Sequence, residues 1–415
     1  MTTYNLLNKG RIADILSALK TFHQLENVSE LSDEAKLNIL LTTIQLPVHT
    51  FDDLLANNPP VLRTIKGHAF EVVFKRMLQL LGHAFTEVGG DSNIDLAVNG
   101  VTLQLKTPYL AGSSDEITQF KTHKTHGAKS EQESMNYYHK ADDFPDYLVG
   151  LVSYTPFRVV LIARNELPRH SKSNDYILSP FKINWTTHLG LNDFNRINVS
   201  NYVESDITHL MSYSETELLP LTSKKLQLST NIILDTILLE SNFRIWDMNI
   251  RGFAREAAIR SIFFEKNITV YAPIDLNRVR AAKSDFALKT ADDQYDFFQV
   301  KGVSANYCKF QGEKSTLSIE TQLTRGRIND HPTQSRLYLK TDFDFLILCL
   351  DPALTRLFDA EIKRNDGIYW RFFCIPTSNL AVHPNFTHRI KAIQTFKLNE
   401  LEKFECNESF YSKYI

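Results

Sequence analysis

The sequence predicts a mixed α/β fold built twice: two units, each a mixed sheet flanked by helices, behind an N-terminal helical segment. Three observations predict it. The order helix, hairpin, strand, then two further strands occurs in two separate parts of the chain, and a repeat of this kind sets the architecture before any single element does. Landmarks in the two parts keep a nearly constant offset, 185 positions from Glu71 to Glu256, 190 from Asp95 to Asp285, 195 from Lys106 to Lys301 and 198 from Asp146 to Asp344. Finally, 415 residues with 43% hydrophobic side chains are enough for two or three domains at about 150 residues each.

Residues 1–66 read as helical. Ile12, Ile15, Leu16 and Leu19 recur at helix spacing, Asp33 and Glu34 open a second run, and Pro47, Pro59 and Pro60 punctuate the segment. From Gly67 the first unit, placed at 67–215, begins with a helix carrying Phe70, Phe74, Met77, Leu78 and Leu81 and stopping at Gly82. Short strands follow at 96–98 and 101–106, joined across Asn99-Gly100, the strongest short hairpin signal there is. Two apolar runs, 146–154 and 158–164, supply the next strands. The segment 165–245, with Pro168, Pro180 and Pro220, finishes this unit and leads into the next. The second unit, placed at 216–415, repeats the order: a helix over 252–267, strands near 270, 286 and 299, then 342–350 and 370–376.

Composition excludes several classes. With 46 Lys and Arg against 48 Asp and Glu, a net charge of −2 rules out a uniformly basic coat but leaves room for a local basic groove. No apolar run approaches the roughly 18 residues of a membrane span, and the first 20 residues lack a basic start followed by an apolar block, so a cytoplasmic protein without a membrane partner is expected. Cys308, Cys349, Cys374 and Cys406 show no C-x-x-C spacing, so they read as buried thiols rather than a zinc site or a disulfide framework. Gly312-Glu-Lys-Ser breaks the phosphate-loop pattern, so no ATP is expected.

Each part of the repeat carries one ordered set of polar residues: a Glu on the first helix, an Asp at a strand end, and Gln-x-Lys on the next strand. The sets are Glu71, Asp95, Gln104 and Lys106, then Glu256, Asp285, Gln299 and Lys301. Alternation along a strand puts Gln104 and Lys106 on one face with Leu105 opposite, and Val300 divides Gln299 from Lys301 in the same way. The aspartates, the glutamine amides and the Leu105 and Val300 carbonyls suit a hard divalent cation that prefers oxygen, Mg²⁺ or Mn²⁺ in its place. The lysines supply positive charge where a phosphodiester under attack gathers negative charge. Both glutamates sharpen the signal, because they fall on the apolar stripe of their helices: Glu71 with Phe74 and Leu78, Glu256 with Phe253, Ile259 and Phe263. A carboxylate there must be paired or bound to metal to avoid a cost of several kcal/mol.

At these residues the sequence resembles the PD-(D/E)XK nuclease superfamily, the first copy its Mrr-type restriction branch. The likeness lies in GHAFEVVFKRMLQLLGHAFTEVGGDSNIDLAVNGVTLQLK: the G-x-x-F-E helix, the Leu81-Gly82 stop, the Gly89-Gly90-Asp91 approach to Ile94-Asp95, and the Q-x-K ending. The second copy is similar through RGFAREAAIRSIF, VYAPIDLNRVRAAKSDFAL and FFQVKG. The resemblance covers about 110 residues of each half and leaves the first 60 unassigned. It implies two restriction-endonuclease-like units, with the aspartates and the following position binding metal and the lysines assisting attack. Gln104 and Gln299 depart from the family's acidic residue at that position.

Basic segments flank both sets. Lys121, His123, Lys124, His126 and Lys129 follow the first Q-x-K strand, with Tyr137, Tyr138 and His139 behind them; Arg278, Arg280 and Lys283 precede Asp285, and Arg325 and Arg327 follow Lys301. They suit contacts to DNA phosphates or bases, and solvated loops would read the same. The expectation is a metal-dependent DNA endonuclease of restriction type that cuts double-stranded DNA with one site per strand, as a monomer or homodimer and with a methyltransferase protecting the host. Two other readings stay open: a defence or repair nuclease acting on branched, modified or single-stranded nucleic acid, and a DNA-binding protein whose cores no longer cleave.

Overall fold

The structure is a computed structural model that describes residues 31–44, 46–88, 93–109, 115–122, 138–199, 214, 216–239, 250–281, 283–303, 308–309, 315–322, 337–352, 355 and 370–415. The protein is mixed α/β. It divides into two compact units, Leu55–Leu239 and Met1–Leu54 together with Glu240–Ile415. The chain thus passes between units at 54/55 and 239/240, whereas the sequence suggests 66/67 and 215/216. The cause is local. Pro59 and Pro60 begin a helix instead of ending one, since proline suits the first turn, and that single helix runs Pro59–Leu80 straight through Gly67.

In the Leu55–Leu239 unit that helix is followed by β1 (Phe85–Glu87), β2 (Leu96–Val98), β3 (Val101–Lys106), β4 (Ile117–Phe120), β5 (Tyr147–Ser153), β6 (Arg158–Ala163), β7 (Arg169–His170), β8 (Ser173–Ile177) and β9 (Phe181–Asn184). Five of them form one sheet in the order β1-β2-β3-β5-β6, antiparallel except for the parallel pair β3 and β5. Strand β4 pairs antiparallel with β9 in a separate ribbon. Asn99 and Gly100 take φ of 49° and 81° between the paired Val98 and Val101. Left-handed backbone at both central residues is the two-residue turn that matches strand twist. Gly82, with φ 74°, ends the helix in the same left-handed region. The Thr230–Leu238 helix, capped by Ser229, packs on the Pro59–Leu80 helix, where Arg76 meets Asp235 and reaches Asn231 Oδ1 at 3.0 Å.

The other unit carries the Arg251–Glu265 helix and then β10 (Val270–Tyr271), β11 (Phe286–Lys289), β12 (Tyr295–Gly302), β13 (Cys308–Lys309), β14 (Thr316–Glu320), β15 (Phe345–Leu350), β16 (Arg371–Pro376) and β17 (Ile393–Lys397). Its sheet runs β10-β11-β12-β15-β16, again with a single parallel pair, β12 and β15. Strands β13, β14 and β17 form a separate three-stranded antiparallel sheet, where the first unit has the two-stranded β4 and β9. Both faces of this sheet are buried, as parallel pairing usually requires. Phe286, Leu288, Phe298, Val300, Ile347 and Cys349 pack with Ile259 and Phe263 of the helix, while Ala287, Phe297, Leu346, Leu348 and Leu350 pack with Tyr338 and Phe343. Phe286, Phe298 and Phe345 stack across three strands at 5.0 and 5.3 Å. No described helix is long and apolar enough to cross a membrane.

One aspartate per unit ties the parallel strands together. Asp146, at the start of β5, accepts from the Thr102 N–H at 2.9 Å and the Thr102 hydroxyl at 2.7 Å. Asp344, at the start of β15, accepts from the Phe297 N–H at 2.9 Å. Cys349 and Cys374 are buried free thiols and Cys406 is a half-buried one.

Candidate catalytic and metal site

In the Leu55–Leu239 unit the Pro59–Leu80 helix buries Phe70, Phe74 and Leu78 and carries Glu71 half-buried beside them. Asp95 stands just before β2, held to β3 by its own N–H, which donates to the Leu103 carbonyl at 2.9 Å. Its Oδ2 accepts from the Leu105 N–H at 2.7 Å. Gln104 is buried; its Nε2 donates to the Asn93 carbonyl at 3.1 Å, and its Oε1 has no partner among the described residues. Lys106 ends the strand.

The electrostatics join these residues into one site. The Glu71 carboxyl is raised to about 7, first by burial and then by like-charge repulsion from Asp95, with Lys75 and Lys106 opposing the rise. Burial also raises Asp95, against the pull of Lys106, the Leu105 N–H and Lys75. Two carboxylates that penalise each other's ionisation are poised to share a proton or a cation.

The second unit repeats the arrangement. Asp285 donates its N–H to the Phe298 carbonyl at 2.8 Å and accepts the Val300 N–H on Oδ2 at 2.7 Å. Glu256, on the Arg251–Glu265 helix, is raised to about 7 by burial and then by Asp285, with Arg260 and Lys301 opposing. Asp285 is raised by burial. Lys301 is lowered, first by burial, although Asp285, Glu256 and Glu320 all favour its charged form. Gln299 differs from Gln104: its Nε2 donates to Asp285 Oδ2 at 2.5 Å, and its Oε1 accepts from the Tyr338 hydroxyl at 3.4 Å.

Sequence reading missed four participants. Lys75 and Arg260 each stand four residues after the helical glutamate and act on both carboxylates of their site. Lys75 pairs with Glu87 at 2.9 Å, and Arg260 donates to the Asp285 carbonyl at 3.1 Å. The spacing of four, one helical turn, was the available signal. His68 Nδ1 lies 3.7 Å from Glu71 Oε1, its imidazole held toward the neutral form by burial and by Lys75. Tyr338 lies under the second Q-x-K strand, with Lys301 Nζ 5.5 Å from its ring centre.

The basic candidates are placed unevenly. His123, Lys124, His126, Lys129, Arg325 and Arg327 lie outside the described residues, as does Tyr137, and of Arg278 only the backbone is described. Lys121 Nζ sits 3.3 Å over the Tyr109 ring. Arg280 pairs with Asp344 at 2.8 Å and lies over Phe297, and Lys283 is 3.8 Å from Asp342. These two cations therefore brace the strand that Asp344 begins.

Among the described residues no group of three or more His, Cys, Asp or Glu side chains is gathered to hold a metal ion. The first site offers two carboxylates and one amide oxygen, a set that fits Mg²⁺, which needs few protein ligands and keeps several waters, whereas in the second the Gln299 amide turns its N–H to Asp285 and its oxygen to Tyr338. The buried, unpartnered Gln104 Oε1 is the clearest sign of that fit. Of the strand carbonyls, that of Val300 receives the Gln299 amide at 3.4 Å. Comparison with family models, with curated proteins and with solved structures finds no match to this chain.

Proposed function

We propose that the protein is a Mg²⁺-dependent DNA endonuclease of restriction type, with one phosphodiester-cleaving site in each restriction-endonuclease-like unit. The observation that carries this reading is repetition: on two sheets of the same strand order, an aspartate is pinned to the middle residue of Gln-x-Lys and is electrostatically coupled to a helical glutamate.

Asp95 with Gln104, and Asp285 with Gln299, would hold the cation, with Glu71 and Glu256 beside them. A cation held there would supply an electrophile for a phosphate oxygen and lower the pKa of a bound water. Glu71 and Glu256, raised toward neutral pH in the cation-free protein, would take up a proton from the attacking water. Lys106 and Lys301 stand where negative charge grows on the phosphate.

Incubating the purified protein with supercoiled plasmid and phage DNA, with and without Mg²⁺ or Mn²⁺, tests the reading. Discrete linear fragments that vanish with chelator are expected. Cutting confined to branched or single-stranded DNA would move the assignment to a repair or defence nuclease, and metal-independent retention without cleavage would leave a DNA-binding protein.

A further inference from the structure

We infer that the two sites are unequal: the first is prepared to receive a divalent cation, while the second is held closed by its own glutamine amide. This rests on the endonuclease reading above and adds to it an order of filling. The difference lies in how each amide is anchored.

Gln104 is 4% exposed, and its Nε2 donates to the Asn93 carbonyl. A carbonyl can only accept, so the NH₂ end of that amide is fixed there and the oxygen is turned to the other side. That oxygen is buried with no donor among the described residues. A buried acceptor left unmade carries a desolvation penalty that a cation would relieve.

Gln299, 5% exposed, has both ends engaged, its Nε2 on Asp285 Oδ2 and its Oε1 on the Tyr338 hydroxyl. An N–H aimed at the carboxylate takes the lone pair a cation would use. For the cation to enter, the amide must leave a charge-assisted hydrogen bond and rotate by half a turn. Tyr338 can follow that rotation, because a hydroxyl donates to the oxygen before it and accepts from the NH₂ after it. Its ring is fixed edge-on against Phe343 at 5.3 Å. At the corresponding place the first unit has His139: its carbonyl receives the Ile177 N–H as the Tyr338 carbonyl receives that of Ile390, and its ring meets Phe144 edge-on at 5.8 Å.

Giving up one charge-assisted bond makes the second site weaker by roughly tenfold or more. Mn²⁺ titration of the whole protein, with free Mn²⁺ read by electron paramagnetic resonance and folding checked by circular dichroism, resolves the classes. Two classes about tenfold apart are expected. Asp95→Asn should remove the tighter one and Asp285→Asn the weaker one, while Gln299→Glu, which has no N–H to give, should bring the weaker class toward the tighter. Two equivalent sites, or loss of the tight class in Asp285→Asn, would overturn the inequality and leave the endonuclease reading standing. Absence of all Mn²⁺ binding would remove both.

Discussion

The Asp95 carboxylate accepts the backbone N–H of Leu105 at 2.7 Å, which fixes the proposed metal ligand to the strand that carries Gln104 and Lys106. Truncation and amide replacement should therefore separate two roles. Asp95→Ala leaves a largely buried N–H without an acceptor and should cost about 1–3 kcal/mol in urea unfolding. Asp95→Asn keeps an oxygen there and should cost less than half as much, while both abolish cutting at this site. Equal stability losses in the two variants would show that the bond does not hold the strand.

Glu71 and Glu256 give the cation-free protein a pH-dependent stability of defined sign. Their carboxyls titrate near 7 in the folded protein and at the ordinary value of 4.5 when unfolded. Between those values the folded state holds more protons than the unfolded one, so stability falls as pH rises from 4.5 to 7. In chelator, the urea midpoint should drop across that window, and Glu71→Gln or Glu256→Gln should flatten the drop. Mg²⁺ should restore stability at the upper end, where the carboxylates are charged and repel each other.

Much of this was legible in the sequence because it follows from local rules. The Asn99-Gly100 turn, the Gly82 stop and the apolar strand at Phe345–Leu350 each follow from turn chemistry or apolar patterning over a few residues, and the polar quartets stood out because they recur. The start of the long helix was harder to read: Pro59-Pro60 punctuates the sequence like a break, yet proline suits the first turn and the helix begins there. Tyr338 was hidden for a different reason, since it comes 37 residues after Lys301 and reaches it only through the fold. The ion pairs of Arg280 with Asp344 and of Lys283 with Asp342 were likewise hidden, since 64 and 59 residues separate the partners.

Asp146 and Asp344 are fasteners between parallel strands, and their loss should be felt as stability. Asp146→Ala strips Thr102 of an acceptor for both its N–H and its hydroxyl and also releases Arg164, 2.5 Å away. A loss of about 1–3 kcal/mol is expected. The pH signature is opposite to that of the glutamates. The Thr102 N–H, together with the Thr102 hydroxyl and Arg164, holds Asp146 below the usual 3.8, so its contribution is present above that value and fades as pH falls below it. An Asp146→Ala protein whose stability gap from the parent narrows as pH falls below 3.8 would bear this out; an equal gap at every pH would contradict it.

Gly150 faces Lys106 across the parallel pair, and a Cβ built on it would lie 2.4 Å from the buried ring of Phe120. The second unit has Leu348 at that register, opposite Lys301. The first unit thus fills with Phe120 the space that a strand side chain fills in the second. Gly150→Ala should overpack the site and cost about 1–3 kcal/mol. Phe120→Leu in the same chain should recover part of that loss by returning volume, as thermal unfolding would record.

Lys106 and Lys301 test whether each unit serves one strand. Each lysine stands at the same place after a pinned aspartate, and neither can substitute for the other if the sites act independently. Loss of a fixed charge facing a phosphate in a partly buried site costs roughly 10²–10³ in rate. Lys106→Ala should therefore convert supercoiled plasmid to nicked circles and stall there, Lys301→Ala should do the same with the opposite strand cut, and the double variant should leave the plasmid supercoiled. Primer extension on the nicked products reads which strand is broken. Complete inactivity of either single variant, or unchanged linear product from both, would mean that the two units do not divide the strands between them.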